Sequence, residues 1–265
     1  MTGSMAVVMR RQAGLTAKAD PKVHTFSTPQ VLGQAAAEFV VRLAAQAVAE
    51  RGRFMVALSG GSLPKLVAPP LVSEPLRSQV DWPAWHVFWA DERCVPLDNP
   101  DSNYRGAHDY LFNQVDIPAE QIHTLDDSLA PNAAATAYQA TLAEVFRPAA
   151  WQLPRFDLIL LGMGEDGHTA SLFPNHPVLA ETGHWVAPIF DSPKPPPERI
   201  TLTLPIINDA RHIAFIAAGA GKADVLAQIL GSGNRADGLP ASRVRPVSGD
   251  LHWFIDQAAA LKLGI

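Results

Sequence analysis

Arg53-Phe54-Met55-Val56-Ala57-Leu58-Ser59-Gly60-Gly61-Ser62-Leu63-Pro64 is the stretch whose reading decides the fold. Phe54 to Leu58 are apolar without interruption, as expected of a strand buried on both faces of a parallel sheet. The run breaks at two glycines between two serines, and Pro64 suits the first turn of a helix. Working outward, Thr28-Pro29 caps and opens an Ala-rich helix that Gly52 stops after Glu50-Arg51. Further apolar strands are expected at residues 85–90, 156–161, 185–189, 200–204, 212–217 and 251–255. Further helices are expected at 102–114, 132–146 and 221–230. This alternation predicts an α/β fold: a doubly wound, mostly parallel sheet with helices on both faces, in Rossmann-type layering.

The 265 residues are 48% hydrophobic and 18% charged, an ordinary globular composition with enough chain for a sizeable core. No stretch reads as the roughly 20 consecutive apolar residues of a membrane span, so no membrane partner is expected. One cysteine, Cys94, excludes an internal disulfide and any multi-thiolate zinc site, and makes a reducing, cytoplasmic setting the default. Net charge is −5 overall and −7 over residues 21–265, in which 18 basic residues stand against 25 acidic ones. Such a body repels polyanions, so nucleic acid is not an expected partner and an anionic ligand must be small and locally held. Residues 1–20 are acid-poor up to Asp20 and lack a long apolar segment, which reads as a disordered or appended extension. Residues 21–265 are expected to form one domain. The Ser192-Pro193-Lys194-Pro195-Pro196-Pro197 run reads as a stiff loop inside it.

Ligands of open α/β sheets bind at the carboxyl ends of the strands, and four loops there are unusual. Ser59-Gly60-Gly61-Ser62 offers inward N–H groups, hydroxyls and a helix N-terminus, which together suit a phosphate; a tight turn that binds nothing is the other reading. Asp91-Glu92-Arg93, followed by Ser102-Asn103-Tyr104, brings an arginine that can hold an oxyanion, or else forms a solvated salt-bridged loop. Gly162-Met163-Gly164-Glu165-Asp166-Gly167-His168 matches the dinucleotide G-x-G-x-x-G but lies mid-chain, ahead of Pro174 and Pro177. What remains there is His168, expected at the entry to a short helix, with Asp166 placed to orient it as a general base. Gly219-Ala220-Gly221-Lys222 is not a P-loop, yet Lys222 can neutralise a phosphate, as can Arg199; either can equally be a surface charge. The histidines show no metal-ligand spacing, and Ser59 is not in a nucleophile elbow, so neither metal nor covalent catalysis is expected.

In their order along the chain, Leu58 to Ser62, Asp91 to Pro96, Ser102 to Tyr104, Gly162 to Pro174 and Asp191 to Pro205 resemble the 6-phosphogluconolactonase family. Gly219 to Lys222 and the terminal Trp253-Phe254-Ile255-Asp256 continue the likeness, which spans about residues 23–262. The resemblance implies a sugar-phosphate isomerase-like fold and a metal-independent carboxylic ester hydrolase of the pentose phosphate pathway. No cofactor is implied, the substrate is a small phosphorylated sugar lactone, and a monomer or weak homodimer is expected. It assigns His168 as general base assisted by Asp166, and Arg93 to the oxyanion or sugar. It puts Ser59 to Ser62, Arg199 and Lys222 at the phosphate. Asn103 is a candidate for the sugar pocket, and Glu92 for a structural or substrate-hydroxyl contact. The related glucosamine-6-phosphate deaminase/isomerase family usually has Asp-Glu-Tyr, and a glutamate five positions after the histidine, where this chain has Arg93 and Phe173. A non-catalytic sugar-phosphate-binding regulator is the remaining alternative.

Overall fold

The computed structural model describes residues 20–150, 152–231 and 238–264. The expected extension at residues 1–20 lies outside them, apart from Asp20. In chain order the elements are β1 (Lys22–Phe26), α1 (Pro29–Arg51), β2 (Phe54–Leu58), α2 (Leu63–Leu71), β3 (Trp85–Trp89) and β4 (Asp91–Arg93). Then come α3 (Asn103–Tyr110), α4 (Pro131–Phe146), β5 (Leu158–Leu161), β6 (Val186–Ile189) and β7 (Arg199–Leu202). The chain ends with α5 (Leu204–Asp209), β8 (His212–Ala217), α6 (Ala223–Leu230), β9 (Asp250–Asp256) and α7 (Gln257–Ala260).

Six strands form an all-parallel sheet in the order β1-β9-β8-β5-β2-β3. Alternate residues of each central strand enter different cores, which is why these strands are apolar throughout. In β2, Phe54, Val56 and Leu58 pack with α1 and α2, while Met55 and Ala57 face the core that contains α4 and α6. Thr28 caps α1 by accepting a hydrogen bond from the Val31 N–H, and Gly52 ends it in the left-handed conformation. By length and composition α1 could cross a membrane, contrary to the reading of the sequence as free of such a stretch. In this fold its apolar side lies in the core, with Leu32, Phe39, Val40 and Leu43 among its buried residues.

Three expectations are corrected. The strands expected at 185–189 and 200–204 leave the parallel sheet and form a separate antiparallel one, ordered β4-β7-β6. Apolar runs report burial on two faces but not which neighbour pairs with them. Asp91 to Arg93, read as a loop, is the third strand of that sheet. Ala90 is the crossing point: its N–H donates to Leu58 O in β2 and its carbonyl accepts from Leu202 N in β7. No helix begins at His168; the loop instead closes on itself through a Thr169–Leu172 bridge and reaches a 3₁₀ turn only at Pro177.

Candidate active site

Strands β2, β5 and β8 are neighbours that end on the same side, and the loops after them surround a cleft of about 240 Å³. The first contributes Ser59, Gly60, Gly61 and Ser62, the second Gly162 to Gly164 and His168, and the third Ala217, Ala218 and Lys222. The antiparallel sheet leans over the same cleft with Asp91, Arg93 and Arg199, and α3 adds Asn103. Nine of the eleven sequence candidates thus share one wall-to-wall space; Asp166 and Glu92 stand behind it.

His168 is held from its own loop. Asp166 Oδ1 lies 2.5 Å from His168 Nδ1 and also accepts from the His168 N–H, while the His168 carbonyl accepts from Gly164 N at 2.9 Å. A Cβ on Gly164 would sit 2.1 Å from His168 Nδ1, so the ring reaches its carboxylate only because position 164 has no side chain. Phe173, fully buried, packs against the His168 ring at 4.8 Å between centroids, and the Arg199 guanidinium lies over its ring at 5.6 Å. Burial pushes the His168 pKa below 6.5, and the Asp166 carboxylate opposes that fall. For Asp166, burial is the largest single influence and acts upward, but the hydrogen bonds and charge of His168 together with the Lys194 charge outweigh it, keeping the carboxyl below its ordinary value. With Nδ1 bound to Asp166, Nε2 is the nitrogen with no hydrogen-bond partner among the described residues.

Glu92 is engaged within the protein. Its carboxylate accepts from the N–H groups of Arg93, Asn103 and Tyr104 and from the Ser102 hydroxyl, which closes the N-terminus of α3 onto β4. Burial drives its pKa up to about 7 against those backbone donors. The result fixes Asn103, whose Nδ2 donates to Asp91 O and whose Oδ1 would lie 1.8 Å from a Cβ on residue 60. Gly60 is therefore required by a close approach between the serine-glycine loop and α3. Ser59 Oγ and Arg93 Nε are buried with no hydrogen-bond partner among the described residues, and both belong to side chains lining the cleft. Buried donors of this kind call for a ligand or water to complete them.

Arg199 is 3% exposed, and three of its hydrogen bonds go to the carbonyls of Lys194, Pro195 and Pro196. It ties down the proline-rich loop as well as charging the cleft. That loop delivers Lys194, which sequence reasoning missed: its ammonium lines the cleft 3.7 Å from Asp166 Oδ2. The signal was a lysine inside a run of prolines, where the backbone is too stiff to let a cation wander. Ser171 was also missed, and Asp91 was noted in its motif without a role; Ser171 donates to Asp91 Oδ2 at 2.7 Å and links it to Arg199. Lys222 has its pKa lowered by burial, with Glu165 acting the other way. The lining therefore has four cations, Arg93, Lys194, Arg199 and Lys222, against the single carboxylate of Asp91, a surplus suited to a phosphate dianion.

Cys94 has its thiol pushed up to about 11 by burial and by Glu198 and Glu92, which keeps it protonated at neutral pH. Away from the cleft, the fold gathers His212, Asp250 and His252, with ligand-type atoms within 4.8 Å of one another, a grouping the sequence spacing did not suggest. There the Lys22 ammonium already sits 3.0 Å from Asp250 Oδ1.

The sequence matches the family model for glucosamine-6-phosphate isomerases/6-phosphogluconolactonase over residues 27–253. It is 45% identical over 245 residues to the probable chloroplastic 6-phosphogluconolactonase 3 of Oryza sativa subsp. indica, covering 90% of this chain and 75% of the relative. It is 43% identical over 256 residues to the 6-phosphogluconolactonase of Homo sapiens, covering 95% and 97% of the two chains. The solved structure of 6-phosphogluconolactonase from Trypanosoma cruzi superimposes with a TM-score of 0.82 at 29% identity, over 94% of this chain and all of that one. With the family model matched over residues 27–253 and relatives 43–45% identical over most of its length, the chain belongs to the glucosamine-6-phosphate isomerase/6-phosphogluconolactonase family.

Proposed function

We propose that this protein hydrolyses 6-phospho-D-glucono-1,5-lactone to 6-phospho-D-gluconate, with His168 as general base. The observation that carries the mechanism is the 2.5 Å contact between His168 Nδ1 and Asp166, beside a cleft rich in cations. In this reading Nε2 of the neutral imidazole takes a proton from water as its oxygen attacks the lactone carbonyl carbon. Asp166 holds the tautomer and stabilises the imidazolium. The tetrahedral oxyanion is met by Arg93; its collapse breaks the bond from the carbonyl carbon to the ring oxygen, and the imidazolium returns its proton to that oxygen. Ser59 to Ser62, Lys222 and Arg199 hold the phosphate, Lys194 adds charge beside Asp166, and Asn103 faces the sugar.

A δ-lactone opens slowly by itself, so a base worth about 10²- to 10⁴-fold plus an oxyanion partner is sufficient without a covalent intermediate. Residues 21–265 act as one catalytic unit, as a monomer or weak homodimer, in a reducing cytoplasmic setting and with no nucleic acid or membrane partner. Against the deaminase/isomerase alternative stands Phe173, an apolar ring packed on His168 at the position where that reaction's glutamate is usual. Offering the protein fresh 6-phosphogluconolactone and glucosamine 6-phosphate in parallel tests the assignment. Accelerated lactone opening without ammonia release is expected; ammonia release reverses it, and binding of both without turnover marks a regulator.

A further inference from the structure

At the amino ends of the strands, opposite the cleft, a second cavity of about 360 Å³ is lined by five arginines and one carboxylate. Arg53 precedes β2, Asp157 precedes β5 and Arg211 precedes β8; Arg51 ends α1, while Arg147 and Arg155 flank the chain between α4 and β5. Asp157 is committed: it binds Arg51 Nε at 3.0 Å, lies 3.3 Å from Arg211 Nε and accepts the Met55 N–H. Arg51 also pairs with Glu50. Arg53, Arg147 and Arg155 have no carboxylate partner among the described residues. They donate instead to Val145 O, Glu144 O and Ser248 Oγ.

Two of these donations go to carbonyls at the C-terminal end of α4, a normal capping role that accounts for part of the cluster. It does not account for all of it. Arg155 Nε is buried with no hydrogen-bond partner among the described residues, Arg211 Nε meets Asp157 as an ion pair without a well-aligned hydrogen bond, and three guanidinium groups without a carboxylate partner share one concavity in a chain whose overall charge is −5. Like charges at this distance repel, and burial together with Arg155 and Arg51 depresses the pKa of Arg211. An anion removes that repulsion and completes the open donors, and guanidinium forks suit phosphate oxygens in particular. Met55, Phe146 and Leu153 add an apolar side to the same cavity.

We propose that this cavity binds a compact polyphosphate anion, free or carried on a nucleoside, at a site separate from the cleft. Three unpaired positive charges exceed what one orthophosphate neutralises, and the apolar side accommodates a ring system. The test is calorimetric titration of the full chain with inorganic tripolyphosphate and with ATP, in the presence and absence of saturating 6-phosphogluconate. The expected result is one site whose affinity 6-phosphogluconate leaves unchanged, weakened by about 10-fold in Arg155→Gln and less in Arg147→Asn. Asparagine suits position 147 because Arg147 sits at a positive φ of 46°, where asparagine is well tolerated, so this exposed replacement removes charge without disturbing the backbone. It decides the matter if Arg155→Gln fails to fold. ATP binding tighter than tripolyphosphate assigns the ring to the Phe146 side, and equal affinity supports the phosphate chain alone. Binding abolished by 6-phosphogluconate, binding equal in wild type and Arg147→Asn, or no heat with either probe overturns the proposal.

Discussion

Among the described residues, two histidine–aspartate pairs occupy neighbouring loops, and only the one at the cleft leaves a ring nitrogen without a hydrogen-bond partner. His168 binds Asp166 through Nδ1 and keeps Nε2 open beside a cleft. His176 binds Asp191 through Nε2 at 2.9 Å, while its Nδ1 accepts the Val178 N–H and caps a 3₁₀ turn. Both ring nitrogens of His176 are thus occupied, and its carboxylate partner is 78% exposed against 36% for Asp166. A carboxylate beside an imidazole is therefore not by itself a catalytic device. A free second nitrogen, a partly buried partner and a cationic cleft distinguish the His168 pair, proposed above as catalytic, from the His176 pair.

The contrast breaks first at His168. His168→Ala is expected to lower kcat by about 10²-fold or more while 6-phosphogluconate still binds, as read by turnover and by product titration. Asp166→Asn should lower kcat by about 10- to 10²-fold, because the wrong tautomer becomes accessible. Its pH profile carries the sign. The neutral imidazole is the active form, so wild-type activity falls on the acid side through a midpoint below 6.5, the direction burial gives His168. Asp166 opposes that direction, so its removal moves the acid limb to still lower pH; a limb that moves upward contradicts the pairing.

Gly164→Ala sharpens the comparison while keeping both His168 and Asp166 as residues. Its Cβ would displace the His168 ring and Asp166 Oδ1, so kcat is expected to fall about 10-fold with little change in KM. A loss confined to KM would point to the phosphate end of the cleft instead. The smallest effect is expected at the second pair. His176→Ala should leave kcat/KM within about 2-fold and lower stability by about 1 kcal/mol, the usual worth of a lost cap, measured by thermal unfolding.

The parallel sheet was legible because its strands are buried on both faces and end in glycine loops, as Phe54 to Ser62 and Leu158 to Gly164 illustrate. The antiparallel sheet was not, since β4 is three polar residues, Asp91, Glu92 and Arg93, whose strand character comes only from pairing with β7. His168 could be singled out from its glycine-rich loop, but the absence of a helix there could not: Thr169 and Leu172 close the loop by tertiary fit rather than local propensity. The contacts of Lys194, Asp91 and Ser171 were hidden because distant segments bring them together through Arg199 and Ser171. Glu92 was ambiguous in sequence because its hydrogen bonds to the Asn103 and Tyr104 N–H groups, which anchor α3, depend on the fold.

The most direct test is the opening of freshly generated 6-phosphogluconolactone at mildly acidic pH, where spontaneous opening is slow, comparing wild type, His168→Ala and His176→Ala after background subtraction. The account predicts acceleration by wild type and His176→Ala, and a loss of about 10²-fold or more in His168→Ala. Equal rates for wild type and His168→Ala, or loss of activity in His176→Ala alone, would contradict it.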